Sequence, residues 1–132
     1  MDFSKIDLAG NADRGADCHI DHPVTGEPLY TAEGKPITIR VVGQDSREFR
    51  GALSAISEKK RGKVTLESAE ANAVELIAKA VTGWHGIQWE GADLPCTHEN
   101  VRMFLTKFPP IRAQLDAFIA DRANFFRAGG KK

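Results

Sequence analysis

The chain has 132 residues, 42% hydrophobic and 27% charged, with 18 basic and 18 acidic side chains and no formal net charge. A chain of this size buries roughly two-thirds of its unfolded surface, so it can fold around one core without disulfides or a structural metal. The balanced charge lacks the basic excess of a dedicated nucleic-acid binder, and no apolar run reaches the roughly 18–20 residues of a membrane span.

Residues 1–15, with Gly10-Asn11 and Gly15, show little periodicity and read as a weakly ordered N-terminal arm. Residues 16–43 read as a small antiparallel β unit of two to three strands, drawn from Ala16 to His22, Leu29 to Ala32 and Pro36 to Val42. Pro23-Val24-Thr25-Gly26 and Glu33-Gly34-Lys35 fit the turns between them. The run Ile37-Thr38-Ile39-Arg40-Val41 alternates apolar and polar residues and is β-branched, the strongest strand signal in the chain.

A body of about four amphipathic helices follows over residues 45–127. Asp45 with Glu48 offers a capping box for the first, whose stripe is Phe49, Ala52, Leu53 and Ile56. The cations of Lys59-Lys60-Arg61-Gly62-Lys63 suit the end of that helix. Thr65 caps the second, with the stripe Leu66, Ala69, Ala73, Leu76, Ile77, Ala80, Val81 and Trp84; Gly83, Gly86 and Gly91 then break the pattern. Thr97 caps a third with Val101, Phe104, Leu105 and Phe108 on one face. Pro109-Pro110 ends it, because the residue before a proline avoids the helical region, and Pro110 opens the fourth. In that helix Ile111, Leu115, Phe118, Ile119, Arg122, Phe125 and Phe126 share a face, and residues 129–132 form a flexible tail. The expected fold is α+β, with one domain over residues 16–128.

Candidate chemistry is sparse. Cys18, His19 and His22, with Cys96 and His98 downstream, carry zinc-ligand atom types but no standard pair-and-pair spacing, and Cys18 and His19 point to opposite faces of a strand. Ser46, Ser54 and Ser57 lack the strained turn of an activated serine, and Gly83-Trp84-His85-Gly86 lacks the Gly-Lys-Ser/Thr of a phosphate loop. No catalytic, cofactor or metal residue is assigned, no cofactor is expected, and the chain reads as non-enzymatic. The two cysteines make no disulfide framework and the N-terminus is polar from Asp2, which suits a reduced, cytosolic protein. The basic run Lys59 to Lys63 reads as a solvated helix end rather than a phosphate contact.

Charge is unevenly laid out. Residues 1–33 carry seven acids and two bases, residues 34–63 eight bases and three acids, residues 64–101 six acids and one base, and residues 102–132 seven bases and two acids. Such blocks either pair within the fold or guide weak head-to-tail homo-oligomers. The candidate partner-binding residues are the aromatics Trp89, Phe108, Phe125 and Phe126, of a type enriched in binding hot spots.

Several short motifs carry a family resemblance over roughly residues 16–127. They are His22-Pro23-x-Thr25-Gly26-Glu27-Pro28-Leu29, Ile37-x-Ile39 and Gly43-x-Asp45-Ser46-x-x-Phe49-Arg50. Further along come Thr82-Gly83-Trp84, Leu94-Pro95 before Glu99-Asn100, the proline-initiated last helix and Phe118-Ile119. In these the chain resembles the tail assembly chaperones of long-tailed, siphophage-type bacteriophages and prophages. The resemblance implies a non-catalytic protein of the host bacterial cytoplasm that binds the tape measure protein, helps recruit tail tube subunits, and is absent from the mature virion. It supplies no established functional residues; the balanced charge and the lack of a long apolar run lead to the expectation of no nucleic-acid or membrane partner. The alternatives are a minor virion protein of the tail or head–tail connector, and a small enzyme or regulator.

Overall fold

A computed structural model describes residues 2–59 and 65–130. The fold is α+β. A three-stranded antiparallel sheet with strand order β1-β2-β3 packs against helices that precede, interrupt and follow it. The expected end of the first helix at residues 60–63 lies outside the described residues, as do Lys131 and Lys132.

Strand β1 (Ala16–His19) pairs with β2 (Thr38–Val41), with Cys18 opposite Ile39 and Ala16 opposite Val41. Alternation does the sorting: Ala16, Cys18, Ile39 and Val41 are buried, whereas Asp17 and Arg40 face solvent and pair at 3.2 Å. The other side of β2 is taken by β3 (Val81–His85), with Ile39 opposite Trp84 and a bulge between Arg40 and Val41. This corrects two expectations. The sheet is not a closed N-terminal unit, and Trp84 lies on a strand rather than on a helical stripe. Val81 and Thr82 are β-branched and Gly83 is a poor helix former, so the chain leaves helix α3 (Leu66–Ala80) readily, and pairing with the open side of β2 makes it a strand. The junction is held by the Val42 N–H, which donates to the Ala80 carbonyl at 2.9 Å.

The expected strand at Leu29–Ala32 is a tied loop. The Ile20 N–H donates to the Ile37 carbonyl, Leu29 to Ile20 and Ile37 to Leu29, all at 2.9–3.0 Å, with single bridges at Asp21–Pro28 and Tyr30–Pro36. Pro28 and Pro36 have no N–H to extend a ladder, which accounts for the shortness of the pairing. The Gln114 side chain anchors this loop, accepting from the Asp21 N–H at 2.8 Å and donating to the Asp21 carbonyl at 3.0 Å.

The weakly ordered arm is also corrected. Residues Leu8–Arg14 form helix α1, capped by Asp7, whose carboxylate accepts from the Gly10 N–H at 3.0 Å. Ala12 is buried against Gly43, and Asp13 accepts from the Arg47 N–H at 2.9 Å. A seven-residue helix has little stability alone, so its order comes from these tertiary contacts.

Helix α2 (Arg47–Lys59) is capped by buried Ser46, whose hydroxyl accepts from the Phe49 N–H at 3.1 Å, rather than by Asp45. Its stripe is only partly used: Phe49 is buried, but Leu53 is exposed. Thr65 caps α3 in a reciprocal box with Ser68. The face that α3 buries is Val74, Ile77, Ala78 and Ala80, while Leu66 and Ala69 are exposed. Thr97 caps α4 (His98–Lys107) and prolines open α5 (Pro109–Ala120), as their positions require.

The long last helix breaks in two at Asp121. Its carboxylate accepts from the Ala123 N–H at 3.1 Å to start α6 (Ala123–Gly130), and Asn124 donates to the Phe118 carbonyl at 3.0 Å. Side-chain bonds of this kind compete with helix continuation. Residues 129 and 130 therefore belong to α6 rather than to a tail. The core fills the space between β2 and helices α3, α4 and α5, with Val41, Leu105, Leu115 and Ile119 almost completely enclosed.

Arg122, at the break, closes on Asp45 through two bonds of 2.6 and 3.1 Å. The bond from Arg122, reinforced by its charge and that of Arg50, holds the Asp45 carboxyl below the usual carboxylate range against an opposing effect of burial. A lowered folded-state pKa stabilises above the unfolded value near 4 and is lost as pH falls through the folded value. Asp45→Asn should therefore cost about 1 kcal/mol at neutral pH, and the gap from wild type should close on acidification below pH ~4. Urea unfolding across that range measures it; a gap that stays constant with pH would show that the pair does not stabilise the fold.

Candidate interaction surface

Four aromatic rings form a row across β3, α4 and the segment before it. Trp84 on β3 meets Phe104 on α4 edge-on at 5.5 Å, Phe104 meets Phe108 at 5.1 Å, and Phe108 meets Trp89 at 6.2 Å. Phe104 is buried, whereas Trp84, Phe108 and Trp89 are half-buried.

The outer end of the row is positioned by a hairpin of β4 (Gln88–Trp89) and β5 (Ala92–Asp93). Its turn, Glu90-Gly91, has φ of 51° and 87°, the pair of positive values that a tight two-residue hairpin demands. Ile87 is buried at its base, the Leu94 N–H donates to the Ile87 carbonyl, and the Trp84 indole N–H donates to the Leu94 carbonyl at 2.8 Å. The segment in which glycines break the helical pattern is thus fixed to the sheet and to α4, and it presents Trp89 beside Phe108.

The four candidate partner residues separate. Trp89 and Phe108 come together as a half-exposed pair. Phe125 is corrected to a core residue: it is 3% exposed, packs against Phe118 at 5.7 Å and lies over Gly43, where an added Cβ would press within 3.1 Å of its ring. Phe126 is half-buried on α6.

The zinc-type residues are dispersed among other tasks. Cys18 is buried in the core, where loss of solvent pushes its thiol up to about 11. The His19 ring bonds the Leu29 carbonyl at 2.8 Å, and His22 accepts from the Val24 and Thr25 N–H groups through Nδ1. His98 and Arg102 both reach Glu75 at 3.3 Å, joining α4 to α3. Cys96 is exposed. Among the described residues no cluster of three His, Cys, Asp or Glu side chains could hold a metal ion.

Two of the concavities among the described residues border the hairpin and α4. A cleft of about 650 Å³ lies between the Tyr30–Lys35 loop and the hairpin, lined by Glu33, Lys35, His85 and Asp93 among others. None of these side chains bonds another as a nucleophile–base pair would; Asp93 accepts instead from Gln88 at 3.3 Å. A more apolar groove of about 530 Å³ runs between α3 and α4, with Ala71, Val74 and Met103 in it. The sequence reading missed this groove because the apolar stripe of α3 looked wider than the face it buries. The spacing of Glu99, Met103 and Lys107, four residues apart and thus on one side of α4, is the signal that could have revealed it.

No helix among the described residues is long and apolar enough to cross a membrane. Comparison with protein-family models, characterised proteins and solved structures finds no match to this chain.

Proposed function

We propose that the chain is a non-catalytic tail assembly chaperone of a siphophage-type phage or prophage. Acting in the host cytoplasm, it binds the tape measure protein, helps recruit tail tube subunits and leaves before the virion is complete. The reading rests on the motif resemblance, and the observation that best supports it is the Trp89–Phe108 pair. A rigid hairpin and the end of α4 hold two large aromatics half out of solvent, a hot-spot arrangement that costs little side-chain entropy on binding. The client would be an apolar stripe on a long helix, which aggregates when left uncovered.

The expected genetic neighbour is a very long, helix-rich reading frame directly downstream. Segments of its product should stay soluble when co-expressed with this chain and precipitate without it, and Trp89→Ala should reduce the soluble yield while leaving the chaperone folded. Purified tails should lack the chain. Stoichiometric presence in particles would make it a virion component instead, and a client indifferent to its presence would dismiss the chaperone role.

A further inference from the structure

The groove between α3 and α4 has no role in the client surface just described, and two of the charges that line it, Glu99 and Lys107, are placed symmetrically about Met103. Met103 lies at its centre, half-buried beside Ala71 and Val74. Glu99 stands four residues before Met103 and Lys107 four residues after it, and both line the groove. The pair is about 12 Å apart along α4 at 1.5 Å per residue. Neither forms an ion pair with another described residue, whereas Arg102, which also lines the groove, pairs with Glu75 at 3.3 Å.

We propose that this face docks a second copy of the chain, with α4 antiparallel to α4 about a two-fold axis through Met103. In that arrangement Glu99 of each copy meets Lys107 of the other, so both ends of the contact pair oppositely. A parallel arrangement would set Glu99 against Glu99 and Lys107 against Lys107, which repel; the charges thus select one orientation. Antiparallel alignment also opposes the helix dipoles favourably. At the centre each Met103 enters the other copy's groove, where Ala71 and Val74 leave space and the thioether adapts its shape. Two ten-residue helices give a contact at the small end of specific interfaces, so the dimer is weak and reversible. The association is closed, unlike the head-to-tail chain suggested by the charge blocks.

Sedimentation equilibrium of the full chain at low salt, carried into the millimolar range, tests this directly. The wild type should dimerise and stop there, and added salt should weaken it. E99K and K107E should each raise the dissociation constant about tenfold, because each variant loses two cross-pairs and places like charges together. The double exchange E99K/K107E should restore association to near the wild-type constant. Both reversals oppose the α4 dipole, so circular dichroism accompanies them. The E99A/K107A variant, which keeps the helix intact, should also dimerise less. A wild-type chain that stays monomeric, an E99A/K107A variant that associates normally, or a folded double exchange as weak as the single variants would overturn the proposal. If Met103→Ala leaves association unchanged but abolishes client solubilisation, the groove holds a client helix and not a second copy. Loss of client solubilisation through Trp89→Ala alone concerns the other surface and leaves the dimer standing.

Discussion

Phe104→Ala should destabilise the fold by about 3–5 kcal/mol, the usual cost of emptying a buried phenylalanine site. Phe104 is 6% exposed and lies between Trp84 at 5.5 Å and Phe108 at 5.1 Å, so its removal opens a cavity where strand, helix and hairpin meet. Neighbours cannot easily collapse into that space. Trp84 is held by its bond to the Leu94 carbonyl, and Phe108 is the residue between α4 and α5. Phe118→Ala provides the comparison. Phe118 is only half-buried, and its loss should cost about 1–2 kcal/mol, mostly from its contact with Phe125. Urea midpoints for the two variants, with unchanged slopes, measure the difference. Because Trp84 borders the Phe104 site, its fluorescence should also change in the folded state. A loss below 1 kcal/mol for Phe104→Ala would mean that the aromatic row is not part of the core.

The sequence exposed those parts of the fold whose signals are local. Thr65 and Thr97 mark helix starts because their hydroxyls have one good use there, and Pro109-Pro110 can only be a boundary. The β-branched run at Ile37–Val41 yields the central strand for a similar reason. What could not be read depends on distant partners. Helix α1 carries no apolar stripe of its own, and it forms because Ala12 meets Gly43 and Asp13 meets Arg47, residues about thirty positions away. Val81-Thr82-Gly83-Trp84 follows a regular helix with matching apolar spacing, and only the free side of β2 converts it to strand. The same holds for the surface. Trp89 stands out as a large aromatic among glycines, but its pairing with Phe108 required the hairpin to be seen. Phe125 looked equally available, and it is buried because α6 turns back onto α1 after the Asp121 break.

Gly15→Ala should be among the most damaging single substitutions in the chain, at about 3 kcal/mol or more. Gly15 joins α1 to β1 with φ 79° and ψ 177°, a backbone region open essentially only to glycine. An added Cβ would stand 2.7 Å from the carbonyl oxygen of Val41, a backbone atom fixed in the central strand. Two penalties therefore combine: roughly 1–3 kcal/mol for the conformation, and a clash that only backbone movement can relieve. Gly26→Ala separates them. Gly26 has nearly the same φ, 78°, but nothing lies within 4 Å of its would-be Cβ, so only a conformational cost of about 1–2 kcal/mol applies. The excess of Gly15→Ala over Gly26→Ala in urea unfolding, beyond the roughly 1 kcal/mol by which their conformational costs differ, measures the clash. If the strain is relieved by releasing α1, amide exchange should accelerate in Leu8–Arg14 before the sheet is affected, and the Asp13 bond to the start of α2 should be lost with it. Equal losses in the two variants would show that α1 and β1 are not locked at Gly15 as the geometry indicates.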